Sequence, residues 1–376
     1  MKTILIFVDW FEPGFKGGGP IRSVSGFVNN FKDDFKIKII TRNKDHDSSV
    51  KYDSVPTNKW VEFDVNVYVF YVEERSYLLT LLKLIRHDNF DWVYLNSFFS
   101  LKFSILPSLL FKIGILRANK ILIAPRGELK KAALSIKSTK KQIFIKAAKI
   151  LKIHTNFNWH ATSEQEENDI KNLFRPTNIL KASNLSKIEI IKSKHIKISN
   201  SLRVVFISRI IDYKNLHYAI EVVTKMKNFN STIFDIYGPI ENEKYFEFCF
   251  RLASKSKVKI TYKGEIPHHL VGATFSEYDV FLFPTLGENY GHVIAEALMA
   301  GCIVITSDQT PWSNLEANNV GWSLPLTKQS LFAEKLNYLY ALDEEIFKKT
   351  KKNVISFALA NINSKSTIEI YSNFLK

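Results

Sequence analysis

The sequence predicts an α/β protein built from two doubly wound, Rossmann-like domains. Three observations predict it. Short apolar runs rich in Ile, Val, Phe and Tyr alternate with amphipathic stretches, the pattern of parallel strands buried on both faces and linked by helices. The alternation occurs twice, broken once near 185–201 by a polar stretch, SKIEIIKSKHIKISNS. The 376 residues exceed what one core fills and suit two domains of roughly 150–200 residues each.

In the first half the predicted strands are Thr3–Val8, Ile37–Thr41, Val65–Val72, Trp92–Leu95, Lys120–Ala124 and Asn158–Thr162. In the second they are Arg203–Ser208, Thr232–Tyr237, Lys257–Lys263, Val280–Pro284, Cys302–Thr306 and Trp322–Leu324. Leu216–Met226 and Ser330–Leu342 have helical spacing between strands, and Ser364–Lys376 reads as a terminal helix. The expected domains are 1–198, rejoined by 364–376, and 199–363.

Hydrophobic residues make up 46% and charged residues 24%, which excludes a disordered, collagen-like or coiled-coil chain. The most apolar stretch, Ser97–Leu116, is interrupted by Lys102, Pro107 and Lys112, so no run reaches the ~20 apolar residues that span a bilayer. The opening MKTILIFVDWFEPG is too short for a signal-peptide core. Cys249 and Cys302 are the only cysteines, which fits a reducing cytoplasm. Charge is uneven. Residues 1–200 carry 33 Lys+Arg against 19 Asp+Glu, and 201–376 carry 19 against 18. Within 101–160 there are 13 basic residues and one acid, Glu128. That half attracts anions: nucleic acid, an anionic membrane or a phosphorylated substrate.

The strongest motif is PTLGENYGHVIAEALMAG at 284–301. A strand ends in a loop where Gly287 and Gly291 permit close backbone approach. A helix then begins near His292 and stops at Gly301. Its first amides can receive an anion, and Glu288 and Glu296 can accept hydrogen bonds from sugar hydroxyls. The second motif is FISRIIDYKNL at 206–216. It places Arg209 and Lys214 at the carboxyl end of the first strand of the second half, where two cations could hold a diphosphate.

These two motifs in this order resemble a retaining glycosyltransferase of family 4, with the GT-B fold. That family carries an Arg and a Lys after the first strand of its C-terminal domain, then a Glu, seven residues and a second Glu; here Glu288 and Glu296 enclose NYGHVIA. The resemblance implies two Rossmann-like domains facing across a cleft, with a nucleotide-diphosphate sugar as donor substrate, no further cofactor and no required metal. It implies that Arg209 and Lys214 stabilise the donor diphosphate. Glu288 and the backbone of Asn289, Tyr290, Gly291 and His292 would hold the sugar, and Glu296 the ribose. Gly238 would lie near the donor and Gly264–Pro267 beside the base. In the first half, Gly17, Gly18 and Gly19 resemble the family's loop near acceptor and phosphates; there is no P-loop or G-x-G-x-x-G spacing. Where many members have His-Gly, this chain has Arg126-Gly127. A permanently charged Arg126 cannot be a general base, but it can bind phosphate or acceptor, and it is the second catalytic candidate beside Glu288.

Other constellations read as structural. Ser163 and Glu166 have capping-box spacing. His160 and His154 suit a satisfied core. Asp45-His46-Asp47 resembles a metal-binding Asp-x-Asp but lies in a polar stretch without a flanking strand and reads as a solvated loop, and adjacent His268-His269 do not share a helix face. The basic block 130–152 has helical periodicity after Ser138, with Ile143, Ile150 and Leu151 on one face and Lys141, Lys149 and Lys152 on another. That arrangement suits anionic lipid or a phosphorylated acceptor. Without interleaved aromatics it does not suit nucleic acid.

The expectation is a hexosyl-type transferase acting on a glycan or polyprenyl-diphosphate-linked acceptor. The resemblance implies a place in capsule or O-antigen lipopolysaccharide synthesis, peripheral on the inner face of a bacterial plasma membrane. The alternatives are a nucleotide-sugar epimerase or phosphorylase of the same fold, and a non-catalytic basic protein binding membrane or RNA.

Overall fold

The computed structural model describes residues 1–130, 133–134, 138–187, 191, 195–227 and 229–376. The chain divides into two units, Met1–Lys187 with Lys365–Lys376, and Ile188–Ser364. The division falls ahead of the 198/199 boundary read from the sequence because residues after it are fastened to the second unit. His195 Nε2 meets Asp279 Oδ1 at 2.9 Å, and the Lys197 ammonium lies 5.9 Å from the Phe347 ring centre.

The first unit holds eight strands: β1 Lys2–Phe7, β2 Phe35–Arg42, β3 Trp60–Asp64, β4 Val67–Val72, β5 Asn89–Leu95, β6 Arg117–Ile123, β7 Asn158–Ala161 and β8 Ile179–Lys181. Their order is β3-β4-β2-β1-β5-β6-β7-β8. All pairs are parallel except β3 with β4. All six predicted runs of this half are strands; β3 and β8 are additions. Edge strand β3, WVEFD, has no buried face, and β8 is three residues long, so neither presents the periodic apolar signal. The helices are α1 Gly19–Phe31, α2 Tyr77–Ile85, α3 Leu106–Lys112, α4 Ser138–Ile150, α5 Glu164–Phe174 and α12 Lys365–Leu375. Two apolar clusters line the sheet, and α12 contributes Tyr371 and Leu375 to the one containing Ile4, Ile6 and Ile37. A Cβ on Gly26 of α1 would lie 2.2 Å from Leu185 O, so this helix approaches the 182–187 segment at backbone contact.

The second unit holds β9 Leu202–Ile207, β10 Thr232–Tyr237, β11 Lys259–Gly264, β12 Val280–Phe283, β13 Ile303–Ser307 and β14 Gly321–Leu324. They form an all-parallel sheet ordered β11-β10-β9-β12-β13-β14. Its helices are α6 Leu216–Thr224, α7 Glu243–Ala253, α8 His268–Ser276, α9 His292–Met299, α10 Gln329–Ala341 and α11 Glu344–Asn361. β9, β12 and β13 are buried throughout or nearly so, as helices on both faces require. All six predicted runs of this half are strands, and both predicted helices stand within two residues of their expected ends.

His154 and His160 sit in the first unit's core as expected. His154 lies among Phe98, Phe144, Phe157, Trp159 and Phe174. Burial lowers its pKa to about 4 and that of His160 to about 3. Both stay neutral when folded and protonate when unfolded, so stability is lost as pH falls below the unfolded value of about 6.5. Glu128, raised by burial, titrates in the opposite sense. Between pH 7 and 5 each histidine should remove on the order of 2 kcal/mol. His154→Phe should flatten the pH dependence of the urea midpoint by one histidine's share; an unchanged slope would contradict this.

Candidate functional site

In a doubly wound sheet, ligands bind beyond the carboxyl ends of the strands, where strand order reverses. In the second unit that point lies between β9 and β12, and the loops following these two strands carry both motifs singled out from the sequence. The β9 loop runs through Arg209 into a 3-10 turn, Asp212–Lys214, then through left-handed Asn215 into α6. The β12 loop runs from Pro284 to Gly291, which precedes α9 with φ +80° and no side-chain cap.

One ion pair joins the two loops. Lys214 Nζ lies 2.5 Å from Glu288 Oε1, and both side chains are largely buried. Thr285 Oγ1 sits 3.3 Å from that same carboxylate oxygen and from Tyr213 O. Asn215 Nδ2 donates to Pro284 O at 2.8 Å. A Cβ on Gly287 would lie 2.5 Å from the Tyr213 hydroxyl, so the two loops touch here and a side chain would have to displace the tyrosine. Arg209 instead points to Glu241, at 3.0 and 3.3 Å, and remains partly exposed.

Glu296, one turn into α9, meets His268 Nε2 at 3.1 Å. His268 opens α8, so the histidine pair that fails as a metal motif supplies a contact to a predicted site residue. The indole of Trp312 donates to Tyr290 O at 2.6 Å, and His292 packs edge-on to Tyr290. Gly238, at φ +136°, would place a Cβ 1.8 Å from Ser208 O, and its amide donates to Gly264 O at 2.9 Å. The ends of β9, β10 and β11 are thus gathered at one glycine. Sequence analysis named Arg209, Lys214, Gly238, Glu288 and Glu296, but not Tyr213, Thr285, Asn215 or His268, which the structure places against them. Three of those four lie inside the quoted motifs, beside residues that were named.

In the first unit the reversal falls between β1 and β5. The loop after β1 holds Gly17, Gly18 and Gly19, and Gly18 has φ +65°. Asp45 organises this loop, with Oδ2 accepting from the amides of Phe15 at 2.8 Å and Lys16 at 3.1 Å. Asp45 is therefore a buried anchor of this loop, not a solvated residue. Among the described residues no group of three His, Cys, Asp or Glu could hold a metal ion. Arg126, also left-handed, gives Nη2 to Tyr94 Oη at 2.8 Å and Asn96 Oδ1 at 2.6 Å, and Nη1 to Asn184 Oδ1. The expected capping box forms by half. Ser163 Oγ accepts from Glu166 N, but the Glu166 carboxylate goes to Thr162 N and Gly127 N rather than to Ser163.

The two doubly wound units have the GT-B fold. Residues 187–357 match the family described as glycosyl transferases group 1. An uncharacterised 41.2 kDa protein of the Klebsiella pneumoniae cps region is 22% identical over 242 residues, 62% of this chain and 64% of that protein. Anabaena Alr3699/HepE, solved with UDP and glucose, matches all of this chain and 99% of its own, with TM-score 0.72 and 14% identity. Sucrose-phosphate synthase of Thermosynechococcus elongatus matches all of this chain and 98% of its own, with TM-score 0.71 and 13% identity.

Gly238→Ala should be strongly destabilising, because both its φ and the Ser208 carbonyl exclude a side chain. A thermal midpoint within a degree or two of the parent would contradict the tight approach.

Proposed function

We propose that this chain is a retaining, metal-independent glycosyltransferase. It moves a sugar from a nucleotide-diphosphate sugar to a hydroxyl of a glycan or lipid-linked acceptor in bacterial capsule or related surface polysaccharide synthesis. The observation that carries the reading is the Lys214–Glu288 pair spanning the two loops at the strand reversal. The group 1 family match, the UDP and glucose bound in the Anabaena structure and the cps region of the Klebsiella relative support it.

In this reading Lys214 and Arg209 receive the diphosphate. An ammonium has three protons, so Lys214 can keep Glu288 and still donate to phosphate. Glu288 and the amides leading into α9 hold the sugar, Glu296 takes the ribose, and Gly238 with Gly264–Pro267 flanks the nucleoside. Arg126 and Gly17–Gly19 serve the acceptor side. The acceptor hydroxyl attacks the anomeric carbon as the sugar–phosphate bond breaks on the same face, and its proton passes to the leaving phosphate. Lys214→Ala or Arg209→Ala should cost about 2–4 kcal/mol of transition-state stabilisation, on the order of 10²-fold in kcat/KM. Nucleotide release screened across UDP-, GDP- and other sugars gives the assay, and unchanged turnover in folded Lys214→Ala would reject the reading. Because cations and a helix N-terminus supply the positive charge, turnover should persist in EDTA; loss restored by a divalent metal would contradict this.

The acceptor side is read as a membrane face. Glu128, the single acid of 101–160, is half-buried and turned inward, accepting from Ser97 and the amides of Phe98 and Phe99. The exposed charge of that segment is therefore cationic. Ile143, Ile150 and Leu151 are exposed at 62%, 79% and 57%, which suits shallow insertion. Among the described residues no helix is long and apolar enough to cross a membrane. Lys141 binds Ala133 O and lies over Phe99, and Lys149 lies over Phe174, so Lys140, Lys146 and Lys152 are the lysines to test. Replacing all three with Gln should weaken binding to phosphatidylglycerol vesicles, at about 1 kcal/mol per lysine, and raised salt should weaken it too. Equal binding by parent and variant would reject the membrane assignment.

A further inference from the structure

Behind Arg126 runs a chain of hydrogen bonds whose direction can be worked out. Ala182 O can only accept, so His160 Nε2, 2.9 Å away, carries the ring proton. His160 Nδ1 then accepts from the Tyr94 hydroxyl at 2.8 Å. The Tyr94 oxygen accepts from Arg126 Nη2 at 2.8 Å. On the other side, Tyr371 of α12 donates to Ser183 O at 3.0 Å, leaving its oxygen to share the His160 Nε2 proton at 3.0 Å. The low pKa of His160 agrees with the neutral tautomer this pattern needs.

The network is more than a satisfied core. Its ends lie on the two segments by which the chain crosses between units. Ala182, Ser183 and Asn184 precede the crossing at 187/188, and Tyr371 follows the return at 364/365. It closes on a cation whose hydrogen-bond partners Tyr94, Asn96 and Asn184 are all neutral. Two buried donors, Arg126 Nε and Asn96 Nδ2, have no acceptor. A buried donor without a partner is costly, and an oxygen of an arriving ligand would satisfy one.

We infer that Tyr371 and His160 are positioning residues for Arg126, so that the last helix of the chain sets the guanidinium at the carboxyl end of β6. The role in catalysis rests on the acceptor-side reading of Arg126; the positional coupling does not. Tyr371→Phe removes one oxygen from the far end of the chain. Trp92→Phe is the control: it removes the indole bond to Leu375 O on the same helix and leaves the relay whole.

The first readout is the Arg126 Nε–H nitrogen-15 resonance of the full chain, assigned by its loss in Arg126→Lys. It should shift or broaden in Tyr371→Phe and in Tyr94→Phe, which cuts the chain one link nearer, and stay in place in Trp92→Phe. The second is transfer from UDP-glucose to a panel of p-nitrophenyl glycosides, divided by UDP-glucose hydrolysis. That ratio should fall about 5–10-fold in Tyr371→Phe, the scale of one hydrogen bond, and not in Trp92→Phe. An unmoved resonance in Tyr371→Phe, or equal effects of the two variants, overturns the inference. If the parent turns over no nucleotide sugar, the glycosyltransferase reading fails, and the resonance comparison decides the coupling alone.

Discussion

A parallel sheet whose strand order reverses leaves a gap, and the second unit is organised around bridging it. Strand β9 sends its chain to β10 and β11 on one side and has β12 on the other. Right-handed crossovers place the connecting helices on opposite faces, so the loops after β9 and β12 diverge. Lys214–Glu288, Asn215–Pro284 and Thr285–Tyr213 cross this divergence. A buried ion pair repays its desolvation only when both charges have further partners. Glu288 has Thr285, and in the proposed reading Lys214 gains its further partner from the anionic donor.

The first unit meets the same problem with inward-turned carboxylates. Asp45 accepts from the loop after β1, Glu128 from the loop after β5, and Glu166 from the loops after β6 and β7. Amides at strand ends need acceptors, and each acid supplies two. Within 101–160 the single acid, Glu128, is used this way, and the lysines are left to dominate the surface of that segment.

The fold was legible because parallel strands buried on both faces are continuous apolar runs, and every run read as a strand is one. Strands β3 and β8 were not legible, since an exposed five-residue edge and a three-residue stub carry no period. Arg209, Lys214, Glu288 and Glu296 were legible as motif residues through their spacing. Their partners were not: His268 meets Glu296 from 28 positions away and Tyr371 meets His160 from 211, and no local pattern encodes such pairs. Asp45 was misread for the same reason, because its polar neighbours in sequence conceal the loop it holds in space.

Arg126 occupies the position where related sequences were expected to carry histidine, and its surroundings explain why arginine fits. Tyr94, Asn96 and Asn184 each present an oxygen. A histidine has at most two N–H donors, whereas a guanidinium has five in a fixed fork. Histidine here would leave at least one of these acceptors unmet in a largely buried site. The substitution therefore belongs to a set of residues and exchanges proton-accepting ability for a fixed positive charge. In the proposed reaction this moves the burden of deprotonation to the leaving phosphate. The cations around that phosphate, Lys214 above all, must then strengthen the leaving group without extinguishing its basicity. A lysine shared with Glu288 meets both demands better than an unshared one, because the carboxylate tempers the charge that the phosphate sees.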